Sequence, residues 1–528
     1  MDTVNTPTVL PSDALVAPPN PGISLVELYN LSDHEAQACT ASPLVETFLG
    51  LDSTTTILNS CTSFCNTSLN SVKEMAGGKQ GRNRVFIVGV GMTAFIKPRG
   101  QRDTSDMGLE AATKALLDAG VTYDKVQAAW VGYAYGDSCC GQRALYNLGM
   151  SSIPITNVNN NCSTGSTAIF NAASWIRAGL ADCTLALGFE QMQAGSLKSN
   201  FPDRAPPMVP WSVATLDIEG SKGVKGPMAA RMFGNGAKEY GEKYGSTREH
   251  LAKIASKNHN HAAKNPYSQF RTPWTPEQVL ASPAITDYLT KLMCCPTSDG
   301  AGCIILASES FVHTHKLENQ AIEIIGQAMH TDGPVTFESG SAMEIVGFDM
   351  TRRAAEDAFA QAGEGSNRDN VGVIELHDCF AANELLMYDA LGLCKPGEAH
   401  KLVDAGDNTY GGKYVINPSG GLEAKGHPLG ATGLGMHFYI TTQLRGWAGP
   451  MQAPNVTGKL GLVHNVGLGG AVVVSILKRP EFWKGEGKDG RDRVGYNHAC
   501  ECKPITRADV DRVKAVPHSK KLLGFAKL

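Results

Sequence analysis

The run Val85-Phe86-Ile87-Val88-Gly89-Val90-Gly91 is apolar throughout, has the length of a strand and ends on glycine, and Asp106 to Gly120 after it is amphipathic with a glycine stop. These read as a strand buried on both faces and a helix packed on it. Val126 to Val131 reads as a further strand, a helix opens at Cys162, and Cys183 to Gly188 and Cys303 to Ala307 are two more apolar strands. The series then recurs. Ile322 to Gly326 is a strand, Thr351 to Gly363 a helix, and Val371 to Leu376 a strand. A glycine-rich turn enters a helix near Gly430, and Leu462 to Gly467 and Ala471 to Leu477 close the set. The order is β-α-β-α-β-β twice over, which predicts a layered α/β fold made of two duplicated halves.

Working outward, the two halves span 84–315 and 316–479, and an insertion of about 191–285 interrupts the first half alone. From Glu190 to Thr275 there are 12 Lys and Arg against 7 Asp and Glu, a local basic excess suited to a phosphorylated ligand or to a solvated surface. Residues 1–72 hold no Lys or Arg and seven acidic residues, so 1–83 reads as a flexible extension without the Arg-rich character of a mitochondrial leader. Residues 480–528 form a basic tail. Over the whole chain of 528 residues, 47 Lys and Arg against 51 Asp and Glu leave a formal charge of −4, which gives no reason to expect a nucleic-acid binder. No stretch is apolar for eighteen residues, and no signal peptide precedes the first strand, so the 14 cysteines are expected to be reduced thiols.

Gly89-Val90-Gly91-Met92-Thr93-Ala94 partly matches a dinucleotide fingerprint, but Phe95 to Gly100 continues as loop where a helix should open, so it reads as a strand-end turn. Asn159-Asn160-Asn161-Cys162-Ser163-Thr164-Gly165 carries more chemistry. Its cysteine sits where turn-forming residues give way to a helical pattern, and a helix N-terminus favours thiolate. In the second half His377 and Cys379 follow a strand two residues apart, a spacing that puts both side chains on one face of an extended chain. His427, between Gly426 and Pro428, is held by a turn that leads into a helix. His498, Cys500 and Cys502 of the tail match no standard zinc spacing, and no metal is expected.

With these residues in place the chain resembles the thiolase family, most closely its sterol carrier protein thiolases, from about Arg84 to Arg479. The resemblance rests on Asn159 to Gly165, on His377-Asp378-Cys379-Phe380, on Asn417-Pro418-Ser419-Gly420-Gly421 with Gly426-His427-Pro428-Leu429-Gly430-Ala431-Thr432-Gly433, and on Asn465-Val466-Gly467-Leu468-Gly469-Gly470. It implies a five-layer α-β-α-β-α fold with the insertion as a loop domain covering coenzyme A. It implies thiolysis of 3-oxoacyl-CoA, with CoA as co-substrate and no permanently bound cofactor. Cys162 is then the nucleophile and His427 its base. The backbone amides of Cys162 and Gly467 form one oxyanion hole, and His377 with His427 form a second. Most thiolases carry Cys-x-Gly where this chain has Asn465-Val466-Gly467, and Cys379 is the replacement acid and base that the resemblance implies.

The alternatives are a carrier-protein-dependent condensing synthase, which needs no Cys379, and a silent CoA or lipid-binding module. The family implies a homodimer at least, with a tetramer as the larger assembly. Ala526-Lys527-Leu528 is similar to a peroxisomal address read by an import receptor, which points to a peroxisome or glycosome-like organelle, with mitochondrion or cytosol as alternatives. The family's C-terminal lipid-binding domain is not expected within the fifty or so residues after Arg479.

Overall fold

A computed structural model describes residues 83–193, 201, 203–220, 223–454, 456–483 and 491–515. The extension expected at 1–83, apart from Asn83, and the tripeptide Ala526-Lys527-Leu528 lie outside the described residues.

The first half runs β1 (Val85–Met92), α1 (Thr104–Ala119), β2 (Ala128–Gly132), α2 (Cys140–Leu145), β3 (Ile155–Val158), α3 (Thr164–Arg177) and β4 (Cys183–Glu190). Three longer helices follow, α4 (Val209–Glu219), α5 (Met228–Tyr244) and α6 (Arg248–Ala262), before β5 (Gly300–Ser308) completes the half. The second half runs β6 (Ile322–His330), α7 (Phe348–Ala362), β7 (Val371–Glu375), α8 (Ala381–Ala390), β8 (Val415–Ile416), α9 (Leu429–Arg445), β9 (Leu460–Gly467) and β10 (Ala471–Lys478).

The strands lie in the order β3-β2-β4-β5-β1-β6-β10-β9-β7-β8, which reads as one five-strand pattern and its reverse. Pairing senses repeat as well. β2 is parallel to β3 and β4, as β7 is to β8 and β9. β5 is antiparallel to β4 and β1, as β10 is to β9 and β6. The halves meet at β1 and β6 through Phe86 opposite Glu323 and Ile87 opposite Ile322. Helix α1 covers β1 and β5 on one side, and α7 covers β6 and β10 on the other. Helices α3 and α9 pack on each other between the two half-sheets, which makes five layers. α9 is buried along its whole length, as a central helix must be.

Each half therefore has five strands, not the four of the β-α-β-α-β-β reading. The strands missed are β3, Ile-Thr-Asn-Val at a sheet edge and only partly buried, and β8, two residues long. Neither offers an apolar run or an alternation long enough to register. Gly89 has a packing role: a Cβ there would stand 2.3 Å from Ala115 O of α1, so the glycine lets helix and strand approach.

The segment after β10 does not run free. Val510 and Val513 of α10 (Arg507–Val513) are buried, and α10 packs on α1. His498 is wholly buried 3.5 Å from Asp118, which also pairs with Arg445 at 2.7 Å. The imidazole considered above for zinc thus faces a carboxylate in the core. The described cysteines are all free thiols. Among the described residues no helix is long and apolar enough to cross a membrane.

Candidate active site

Cys162 lies in the loop between β3 and α3, and the polar residues around it each close part of that loop. Ser163 Oγ donates to Asn160 O at 2.9 Å, Thr164 Oγ1 to Asn161 O at 2.6 Å, and Asn160 Nδ2 to Thr167 Oγ1 at 3.1 Å. Asn161 takes the left-handed conformation, φ 51°, which asparagine tolerates better than most side chains, and its Nδ2 donates to Leu468 O at 3.0 Å. The helix starts at Thr164, two residues beyond the cysteine. Burial pushes the Cys162 thiol up to about 12, and the Glu190 carboxylate acts the same way. The thiolate expected from the helix terminus is thus not the resting form, because desolvation outweighs a partial charge two residues away.

His377 and Cys379 stand beyond the end of β7, in the loop that leads to α8, so they are placed by contacts rather than by strand geometry. The His377 backbone N–H donates to His464 Nδ1 at 3.4 Å, and its carbonyl accepts from Asn383 Nδ2. Cys379 O accepts from Cys295 N at 2.9 Å, in an antiparallel bridge with Cys294 opposite Phe380. Asp378 between them locks the loop: its carboxylate accepts from Leu422 N at 2.7 Å and from Asn258 Nδ2 of α6 at 2.9 Å. Burial raises the Cys379 thiol well above its ordinary range, with Cys295, Cys162, Asp378 and Glu423 all adding to the shift.

His427 enters from the turn before α9. Its backbone N–H donates to Ser298 Oγ at 3.0 Å, and its Nδ1 lies 2.7 Å from Thr432 Oγ1. Thr432 Oγ1 uses its own hydrogen on Pro428 O at 2.9 Å, so it accepts from His427. The proton of the neutral ring is therefore on Nδ1, and Nε2, buried and without a partner, carries the lone pair. Burial holds this imidazole down at about 3, with Lys425 contributing.

The three groups converge. One atom each from Cys162, His377 and His427 lies within 4.8 Å of the other two, and the two rings meet edge to face, 5.1 Å apart at 83°. Among the described residues no other three His, Cys, Asp or Glu side chains cluster in this way. Cys379 is not of this triad but lies close enough for Cys162 to help raise its thiol. Gly467 ends β9 against the nucleophile loop: a Cβ there would lie 2.3 Å from Asn160 O. Close approach of backbone to backbone requires glycine at 467.

Several residues of the site escaped the sequence reading. Asn465 was noted only for the cysteine it replaces, yet its Nδ2 reaches Cys162 O at 3.1 Å and His377 Nδ1 at 2.9 Å. Glu190 accepts from the backbone N–H of Ala134, Tyr135 and Gly430 at 2.9–3.1 Å, tying three loops together, and burial pushes its carboxyl up to about 7. Cys295, half-buried, is a third thiol close to Cys162 and Cys379. None of these carries a spacing signal, since each acts across the fold.

Comparison with known proteins agrees with this architecture. Residues 85–310 match the thiolase N-terminal domain, and residues 335–479 match the family described as thiolase C-terminal domain-like. The chain is 54% identical over 397 residues to sterol carrier protein 2 of Gallus gallus, covering 75% of this chain and 72% of that one. It is 32% identical over 403 residues to the acetyl-CoA acetyltransferase of Methanothermobacter thermautotrophicus, covering 75% and 99%. Human mitochondrial 3-ketoacyl-CoA thiolase shares the fold with a TM-score of 0.55 at 19% identity, covering 75% and 98%. With two matched domains and these relatives, the chain belongs to the thiolase family of acyltransferases.

Proposed function

We propose that the protein cleaves a 3-oxoacyl-CoA with CoA, giving acetyl-CoA or propionyl-CoA and a shortened acyl-CoA, and that the same site runs backwards as a Claisen condensation. One observation carries the reading: a thiol and two imidazoles from three separate loops converge within 4.8 Å in a water-poor site, one imidazole offering a lone pair.

Cys162 is a neutral thiol at rest, so its proton passes to His427 Nε2 as the sulfur attacks the 3-keto carbon. The resulting oxyanion is held by the backbone N–H groups of Cys162 and Gly467. The C2–C3 bond then breaks, leaving the acyl group on Cys162 and the bonding electrons on the acetyl-CoA enolate. His377, and His427 now carrying the proton, face that enolate oxygen with N–H groups. Cys379, whose raised pKa keeps it a thiol at neutral pH, gives its proton to C2. The Cys379 thiolate then takes the proton of incoming CoA, whose sulfur displaces the acyl group from Cys162, and His427 returns its proton to the departing Cys162 sulfur. CoA serves as co-substrate, with the helices between β4 and β5 and their basic side chains as its cover. The protein acts as a homodimer, for which the edge strand β3 offers an unpaired side.

The reading is tested with acetoacetyl-CoA and free CoA. Cys162→Ala should abolish thiolysis, and Cys379→Ala should slow deuterium exchange at C2 of acetyl-CoA by about 100-fold or more. Full exchange in the second variant would remove Cys379 from this role. Activity only in the presence of a carrier protein would make the chain a condensing synthase.

A further inference from the structure

We infer that Asn465 is a positioning residue for this chemistry, fixing His377 as a donor at Nε2 while His427 remains a base at Nε2. The inference rests on the thiolase reading and assigns a division of labour between the two histidines. Cys162 O can only accept, so the Asn465 side chain must turn its NH₂ group toward it, 3.1 Å away. The opposite amide orientation would set one acceptor against another. The second hydrogen of the same NH₂ then falls on His377 Nδ1 at 2.9 Å. A ring nitrogen that accepts is unprotonated. Burial, with His427 and His464 adding to it, holds the His377 pKa well below 6.5, so the ring is neutral and its single proton is on Nε2.

Two adjoining imidazoles thus hold opposite tautomers for opposite reasons. Thr432 accepts from Nδ1 of His427 and leaves a lone pair at Nε2, whereas Asn465 donates to Nδ1 of His377 and leaves a hydrogen at Nε2. The first arrangement suits removal of the Cys162 proton. The second suits an enolate oxygen.

The surroundings of Asn465 argue that its amide is retained for this purpose. Its backbone is paired in register with Val473 of β10, which any residue can do. Its Oδ1 is buried without a hydrogen-bond partner, a cost that an aliphatic residue would avoid. Where other thiolases place an acid and base cysteine, this chain places the group that orients His377, and Cys379 is free to be the acid.

The test is Asn465→Asp. A carboxylate only accepts, so it draws a proton to His377 Nδ1 and leaves Nε2 bare unless the ring becomes an imidazolium. At about pH 8, C2 exchange of acetyl-CoA should fall about 100- to 1,000-fold with KM within about three-fold, the size expected for losing one oxyanion donor. Lowering the pH toward about 5.5 should restore most of the rate, because the imidazolium regains the Nε2 hydrogen. A variant with the parent rate and a flat pH profile overturns the inference. Nitrogen-15 NMR of histidine-labelled parent protein, with His377 assigned by its loss in His377→Gln, gives a second decision that needs no Asn465 variant to fold. A proton on Nε2 supports the inference, and a proton on Nδ1 overturns it. Parent protein without thiolysis or exchange would defeat the thiolase reading while leaving the tautomer result standing.

Discussion

His427 Nδ1 stands 2.7 Å from Thr432 Oγ1, and the threonine spends its own hydrogen on the carbonyl of Pro428, the residue that precedes α9. The start of a helix thereby sets the tautomer of a ring in the turn before it. Replacing Thr432 by Val leaves the buried Nδ1–H unsatisfied, which costs about 1–3 kcal/mol and favours the wrong tautomer. Thiolysis of acetoacetyl-CoA by Thr432→Val should therefore fall about 10- to 100-fold, and Thr432→Ser should recover most of it. Equal rates in the Val and Ser variants would show that this contact does not orient His427.

Cys162 and His427 are both neutral at rest, the thiol pushed up to about 12 and the imidazole down to about 3. Alkylation of the free enzyme by iodoacetamide, followed at Cys162 by peptide mass spectrometry, should keep increasing as the pH is raised past about 10, beyond the range in which an ordinary cysteine levels off. A plateau near pH 7 would mean that a thiolate–imidazolium pair already exists without substrate.

His437, buried in α9 between Gly433 O at 2.7 Å and Ser475 Oγ at 3.1 Å, is held down at about 4 by burial. Its folded pKa lies below the unfolded 6.5, so the stability it contributes is present above pH 6.5 and is lost as the pH falls toward 4. The Glu190 carboxyl, pushed up to about 7, works in the opposite sense, so the informative measurement is a difference. Between about pH 7 and 4.5, the urea midpoint of His437→Gln should fall less steeply than that of the parent. Parallel curves would refute the assignment.

Asp118 balances Arg445 at 2.7 Å and His498 at 3.5 Å in the core, and also accepts from Val90 N at 2.9 Å. Asp118→Asn leaves the buried guanidinium without a counter-charge and should destabilise the protein by about 3–5 kcal/mol. Because His498 belongs to the segment that packs on α1, limited proteolysis should then cut within 491–515 before it cuts the sheet. Uncut protein with unchanged stability would show that the carboxylate holds neither.

The duplicated order of strands and helices was legible because its strands are long and apolar. Runs such as Val85 to Gly91 and Ala471 to Leu477 are buried on both faces, and only a layered α/β core offers that environment. The strands that escaped, β3 and β8, are an edge strand and a two-residue strand, whose pairing depends on neighbours distant in the chain. The helix starts at Thr164, two residues beyond Cys162, because Asn160 to Thr164 first close a turn of their own, with the Ser163 and Thr164 backbone N–H groups donating to Asn160 O and Asn161 O and Asn161 in the left-handed conformation.

The sequence by itself determined which residue types were available to the site: a cysteine before a helix, two histidines at glycine-flanked or strand-end positions, and a second cysteine beside one of them. Tertiary structure alone decided their states. The Cys162 proton stays on sulfur because the loop is buried deeply enough for desolvation to outweigh the helix terminus. The tautomers of His377 and His427 follow from Asn465 and Thr432, of which Asn465 lies 88 residues from its histidine. Tautomer and protonation respond to partners a few ångströms away in space, and that proximity exists only after the two halves have closed on α3 and α9.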